Sequence, residues 1–226
     1  MSKVCRIVSL SYDQVAMLHG KPFLAADVAR VAQHEEMAAA IQHAMARMPI
    51  SDRMAFTARR QPEEAKIAIS RRRLASFGLL ERPLNLGTSW HILHFVLSGR
   101  ARPASRKPWH HFISRRSLPV YDPADSLMNG EKVGEDLGHG PARLQDSART
   151  EAFARFLAEQ NVDDLLERVH FRKMTWLGIH GLPFGPRESS DFAGEVRAEV
   201  AAYFPLLRDR VAWARAQRGG LLIWLS

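Results

Sequence analysis

The two ends of the chain constrain its fold most. "KVCRIVSL" (3–10) opens it with a short apolar run containing β-branched residues, and "LLIWLS" (221–226) closes it with another. Runs this short, bounded by cap or turn residues, read as strands. The closing run has no alternation, as in a strand buried on both faces. Several helical patterns lie between the two ends. The expectation is therefore a small, mostly buried sheet covered by many helices.

The intervening patterns are individually legible. Ser11 to Gln14 has the form of a capping box ahead of "VAML", with Gly20 as a stop. From Ala25 to Met48, alanines accompany Val28, Val31, Met37, Ile41, Met45 and Met48 at near-helical spacing, and Pro49 ends the run. Pro62 at a first-turn position, followed by "EEAKIAISRRRLASF" and Gly78, predicts a helix over 62–77. "SWHILHFVLSG" (89–99) predicts another, with Thr88 or Ser89 as N-cap and Gly99 as its C-terminal stop.

Residues 99–145 are rich in Pro, Gly, Arg and Ser and read as a basic irregular segment. One strand is expected near 118–121 and a tight turn at Asn129-Gly130. Two helices follow over 147–160 and 162–169, and "MTWLGIHGLPFG" (174–185) reads as a strand entering a Gly/Pro turn. A long helix from Asp191, which Pro205 kinks or divides, runs to Gly219-Gly220.

At 226 residues, with 46% hydrophobic and 25% charged residues, the chain has the proportions of one ordinary globular domain. No window approaches the ~20 apolar residues of a membrane span, and the first residues do not read as a secretory signal. Cys5 is the sole cysteine, which excludes an internal disulfide and fits a reducing cytoplasm. The net charge of +8 is uneven: Lys and Arg outnumber Asp and Glu 19 to 8 over residues 1–120, against 13 to 16 over 121–226.

Three ordered stretches carry a family resemblance: "SWHILHFVLSG", "DPADSLMNGEKVGEDLGHGPARL" (122–144) and "YFPLLRDRVAWARAQRGGLLIWLS" (203–226). Together they resemble the YfbM-like family, a bacterial domain of unknown function. The resemblance implies a single α/β domain with helices on both faces of a mixed sheet, a three-layer arrangement, and no known reaction. His139 and "IHG" (179–181) depart from the tyrosines of the family pattern, so a shared ligand does not carry over.

The candidate site residues follow from these stretches. His91 and His94, three apart on a helix beside Trp90, could approach one ligand. A zinc site needs at least a third ligand, and neither HExxH nor paired cysteines accompany them, so no metal and no cofactor are expected. Since "WHILHFVL" is apolar nearly all round, a buried His94 held by a carbonyl or carboxylate is the structural expectation. Gly140 and Arg143, with His139, form a second candidate, in which closely spaced glycines could let amides meet an anion; a demanding turn is the simpler role. Asp122 with Glu131-Lys132 lacks nuclease spacing, and Cys5 on a buried strand reads as an inert thiol.

The basic residues Arg71, Arg72, Arg73, Arg100, Arg102, Arg106, Lys107, Arg115 and Arg116, interleaved with Trp109 and Phe112, supply the argument for nucleic acid. No nucleic-acid module accompanies them. The expectation is a cytosolic protein-binding module, regulatory or immunity-like, rather than an enzyme. A small-molecule pocket joining His91 and His94 to the 134–143 turn is one alternative, and nucleic-acid binding is another.

Overall fold

The structure is a computed structural model and describes residues 3–102, 122–179, 182 and 189–226. Strand β1 (Cys5–Leu10) is followed by α1 (Tyr12–Gly20), α2 (Phe23–Ala46) and α3 (Ile50–Ser76). Strand β2 (Leu84–Gly87) precedes α4 (Trp90–Ser98), and a 3-10 helix (Pro123–Met128) leads to the hairpin β3 (Glu131–Asp136) and β4 (Pro141–Gln145). Four helices, α5 (Ser147–Ala158), α6 (Val162–Glu167), α7 (Phe171–Trp176) and α8 (Ser189–Ala216), lead into β5 (Gly220–Leu225).

The two terminal strands pair with each other. The sheet order is β2-β1-β5-β4-β3, and every neighbouring pair is antiparallel. The expected mixed sheet is therefore corrected to an antiparallel one. Chain direction is the reason: β5 returns after α8 to pair with β1 residue for residue, from Cys5 opposite Leu225 to Leu10 opposite Gly220. No sequence pattern encodes that direction, because the pairing joins opposite ends of the chain.

Alternation along β1 and β5 divides the core. Cys5 and Ile7, with Leu221 and Ile223, join a cluster containing residues of α4, α5, α6 and α8. Val8 and Leu10, with Leu222 and Trp224, join a second cluster containing residues of α1, α2 and α3. Two apolar faces on one strand explain why the end segments show no polar alternation. Where the chain enters and leaves this sheet, the backbone crowds. A Cβ on Gly219 would stand 1.6 Å from the Leu10 carbonyl oxygen, and one on Gly220 would stand 2.1 Å from that of Gln145.

Other expectations need correction. Pro62 lies inside α3, which starts twelve residues earlier at Ile50, and Pro205 lies inside α8 without dividing it. The segment around Met174 is helix α7, where a strand was expected. Residues 131–145, read as irregular, form a hairpin, and Asn129-Gly130 precedes β3 instead of forming its turn. The expected strand at 118–121 lies outside the described residues. The capping box at Ser11 and Gln14 is present, and Gly99 ends α4 in the left-handed conformation at φ 72°.

Candidate functional site

Every residue of α4 from Trp90 to Leu97 is buried, which answers the all-round apolar pattern of its sequence. Trp90 donates its Nε1–H to the Lys3 carbonyl at 2.9 Å and stacks on His91 at 4.8 Å between ring centroids. His91 Nε2 lies 2.7 Å from the Ala101 carbonyl, so that nitrogen carries the proton and donates it. Its ring in turn stacks on His94 at 6.3 Å. Both imidazoles are used in packing, and neither faces open solvent.

His94 is wholly enclosed. Its Nε2 stands 3.5 Å from Ser98 Oγ and 3.9 Å from Asp125 Oδ1, the latter too long for a hydrogen bond. Burial pushes its pKa down from 6.5 to about 4, and the Asp125 carboxylate opposes this without overcoming it. The imidazole is therefore neutral at ordinary pH. Its Nδ1 has no hydrogen-bond partner among the described residues.

Asp125 sits on the 3-10 helix because Asp122 caps that helix. The Asp122 side chain accepts from the Ala124 amide at 3.0 Å, and Pro123 takes the first position. Arg100, one residue past the α4 stop, bridges the two acids at 2.8 Å from Asp122 Oδ2 and 3.0 Å from Asp125 Oδ2. Gln145, at the end of β4, donates to the Ser126 carbonyl at 2.6 Å, and Thr150 of α5 is fully buried. Sequence reasoning missed Asp125, Ser126, Gln145 and Thr150. The available signal was "DPAD", an N-cap followed by proline.

Chemically this buried cluster fastens α4, the 3-10 helix and the β4 end to one another. Asp125 is clamped by Arg100, His94 is neutral and closed from solvent, and the Ser98 hydroxyl beside it donates to the His94 carbonyl at 2.7 Å. Cys5 is buried elsewhere on the same face of the sheet, and burial pushes its thiol up to about 12, Arg6 opposing. Among the described residues no group of three or more His, Cys, Asp or Glu could hold a metal ion.

The glycine-rich candidate closes on itself. Asp136 Oδ1 accepts from the Gly138 and Gly140 amides, each at 2.8 Å, and these bonds hold its carboxyl below the usual carboxylate range. The anion those amides meet is thus the chain's own. Gly138 and Gly140 take φ of 102° and 100°, which explains both glycines. His139 between them is exposed, and Arg143 is half-buried on β4, where burial lowers its pKa. His94 belongs with the first cluster, whereas Val133, Leu137 and Ala142 flanking the turn belong with the second. A pocket joining the α4 histidines to that turn therefore has no geometric support.

Of the five basic candidate residues that the structure describes, three are paired with acids. Arg71 pairs with Glu35 at 2.9 Å, Arg73 with Asp27 at 2.8 Å, and Arg100 as described; Arg72 and Arg102 are exposed. Arg106, Lys107, Arg115 and Arg116 lie outside the described residues.

A feature that the sequence did not announce is the arm formed by α2 and α3. At 1.5 Å per residue these helices are about 36 and 40 Å long. Their buried residues end at Ala32 on α2 and resume at Ile67 on α3; between them no described side chain is buried. Apolar residues nevertheless continue along this part: Met37 is 51% exposed, Ile50 74% and Met54 71%. Between the helices runs a groove of about 710 Å³ lined by Ala38, Ile41, Met45, Phe56 and Ala68, with His34 and Arg60 among its polar residues. Around the tip, residues 42–61 contain Arg47, Arg53, Arg59 and Arg60 against Asp52 alone.

The chain matches the family model described as Domain of unknown function (DUF1877) over residues 1–200, and it belongs to that family. Among solved structures, it is similar to a protein of unknown function, YfbM from Escherichia coli, at 18% identity and a TM-score of 0.44. That likeness covers 64% of this chain and 83% of the other. No curated protein matches the chain.

Proposed function

We propose that this DUF1877 protein is a cytosolic, non-enzymatic protein-binding module, regulatory or immunity-like in role, which docks through the tip of the α2–α3 arm. The observation that carries the reading is the exposure of Met37, Ile50 and Met54 on an arm whose outer part has no fully buried residue among those described. Methionine adapts its shape to irregular apolar surfaces, and exposed apolar patches on otherwise polar surfaces mark interaction sites. The fitting partner presents an acidic-rimmed apolar face, since residues 42–61 carry a net charge of +3. In this reading the remainder of the chain is one domain, with helices on both faces of the sheet, that holds the arm.

Several features weigh against the other two readings. The α4 histidines are closed from solvent, and Arg71 and Arg100 are each engaged by a carboxylate, which weakens them as contacts to a nucleic-acid backbone. The test is comparative capture with the intact chain and with an Ile50→Asp, Met54→Asp double variant. A partner lost by the variant, which keeps its melting temperature, supports the reading. Partner capture indifferent to the substitutions overturns it, as does turnover of a nucleotide, ester or peptide that His91→Ala abolishes.

A further inference from the structure

A second recess, separate from the arm tip and from α4, lies where the first turn of α2 meets α3 and β3. It measures about 480 Å³ and is lined by Phe23, Asp27, Arg30, Arg73, Gly134 and Glu135 among others. This volume is within the usual range for small-ligand sites. Its organising group is Asp27, 3% exposed, whose Oδ1 accepts from Arg30 at 2.9 Å and from Ser70 at 2.7 Å. Its Oδ2 accepts from Arg73 at 2.8 Å. One buried carboxylate thus fixes two guanidiniums that are themselves almost half exposed, at 47% and 42% of their side chains.

Those two groups have donors to spare. A guanidinium offers five N–H bonds, and the anchor uses one from each. The charges of Arg30, Arg73 and Asp27 sum to +1, which Glu135 alone among the described lining residues offsets, by a contact of 3.3 Å from an exposed side chain. The first turn of α2 adds the positive end of a long helix: it has no acidic residue and no side-chain cap. Phe23, 49% exposed, lies with its ring centroid 5.4 Å from the Arg73 guanidinium carbon, so the recess has an apolar floor next to its charge.

We infer that this recess is a binding site for a small organic anion bearing a carboxylate or a phosphate monoester. Arg30 and Arg73 receive the anionic group, Phe23 packs against the ligand body, and Glu135 is the built-in competitor that the ligand displaces. The arrangement is prepaid: Asp27 and Ser70 hold the arginines in place before any ligand arrives.

The test is calorimetric titration of the full chain with inorganic phosphate, benzoate and phenyl phosphate. Saturable binding is expected, tightest for a probe with a ring. Glu135→Gln removes the competitor and should tighten binding by up to about fivefold, the worth of an exposed ion pair. Arg30→Ala should weaken it by about tenfold or more, as loss of a charged hydrogen bond does, while Asp27 keeps Ser70 and Arg73. Phe23→Ala should weaken the ring-bearing probes and leave inorganic phosphate unchanged. Phosphate binding alone, with no gain from a ring, would reassign the site from organic anions and overturn the ligand class. Absence of saturable binding to any probe, or binding unchanged by both Glu135→Gln and Arg30→Ala, overturns the site itself.

Discussion

Acidification should destabilise this protein through His94 before most of its carboxylates are protonated. The folded-state pKa lies at about 4, against 6.5 for an unhindered imidazole, with burial as the main cause. Between those values the unfolded chain binds a proton that the folded chain refuses. Stability from this group is therefore complete above pH 6.5 and falls as the pH drops toward 4. The full difference corresponds to about 3 kcal/mol, and lowering the pH from about 7.5 to about 5 costs about 2 kcal/mol of it.

Such a loss is a sizeable share of a typical stability of about 5–15 kcal/mol. Urea unfolding across that range, on the parent chain and on His94→Leu, isolates the contribution, because all other titrating groups are common to both. The stability difference should move by about 2 kcal/mol in favour of the variant as the pH falls. A difference that stays constant would mean that His94 keeps its ordinary pKa. One that moves the opposite way would mean that pairing with Asp125 outweighs burial. Either result refutes the account.

Further outcomes follow from the same contacts. Gly219→Ala would drive a methyl group into the Leu10 carbonyl, and should cost more than about 3 kcal/mol or prevent folding, read by denaturant unfolding. Cys5, with no exposure and a thiol pushed up to about 12, should resist a thiol reagent in the native state and react at the rate of unfolding. Pro62→Ala should restore a backbone donor inside α3 and add up to about 3 kcal/mol locally. Slower amide exchange confined to the arm would show it, with little change in global melting. Asp136→Asn should weaken the bonds to Gly138 and Gly140 and loosen the β3–β4 turn, seen as faster exchange at those two amides.

Local chemistry was legible where a short stretch of chain satisfies itself. The Ser11 capping box, the Gly99 stop and the length of β5 depend on neighbouring residues alone, and all stand in the structure. The hairpin at 131–145 was hidden for a complementary reason. Only Val133 is buried on β3, whose other residues are exposed, so the strand lacks the alternating apolar signal by which strands are read. Around Met174, an apolar stretch only a few residues long fits a strand as well as a helix. Strand direction was illegible altogether, because pairing β1 with β5 is a contact between opposite ends of the chain.

The functional reading turned on a distinction that no periodicity contains. Val28, Val31, Met37, Ile41 and Met45 continue one apolar pattern along α2, yet Val28 and Val31 are buried at 3% and 4% and Met37 is 51% exposed. The difference lies in the partners: Val28 and Val31 share a cluster with Val8, Leu10, Leu222 and Trp224, strand residues brought together from the two ends of the chain, and Met37 does not belong to it. The α4 histidines show the converse. Their polarity suggested chemistry, but the apolar residues between them predicted enclosure, and enclosure is what leaves His94 neutral. A polar residue in an apolar helix therefore pointed to the core, and apolar residues in a helix of mixed character pointed to the surface where a partner would dock.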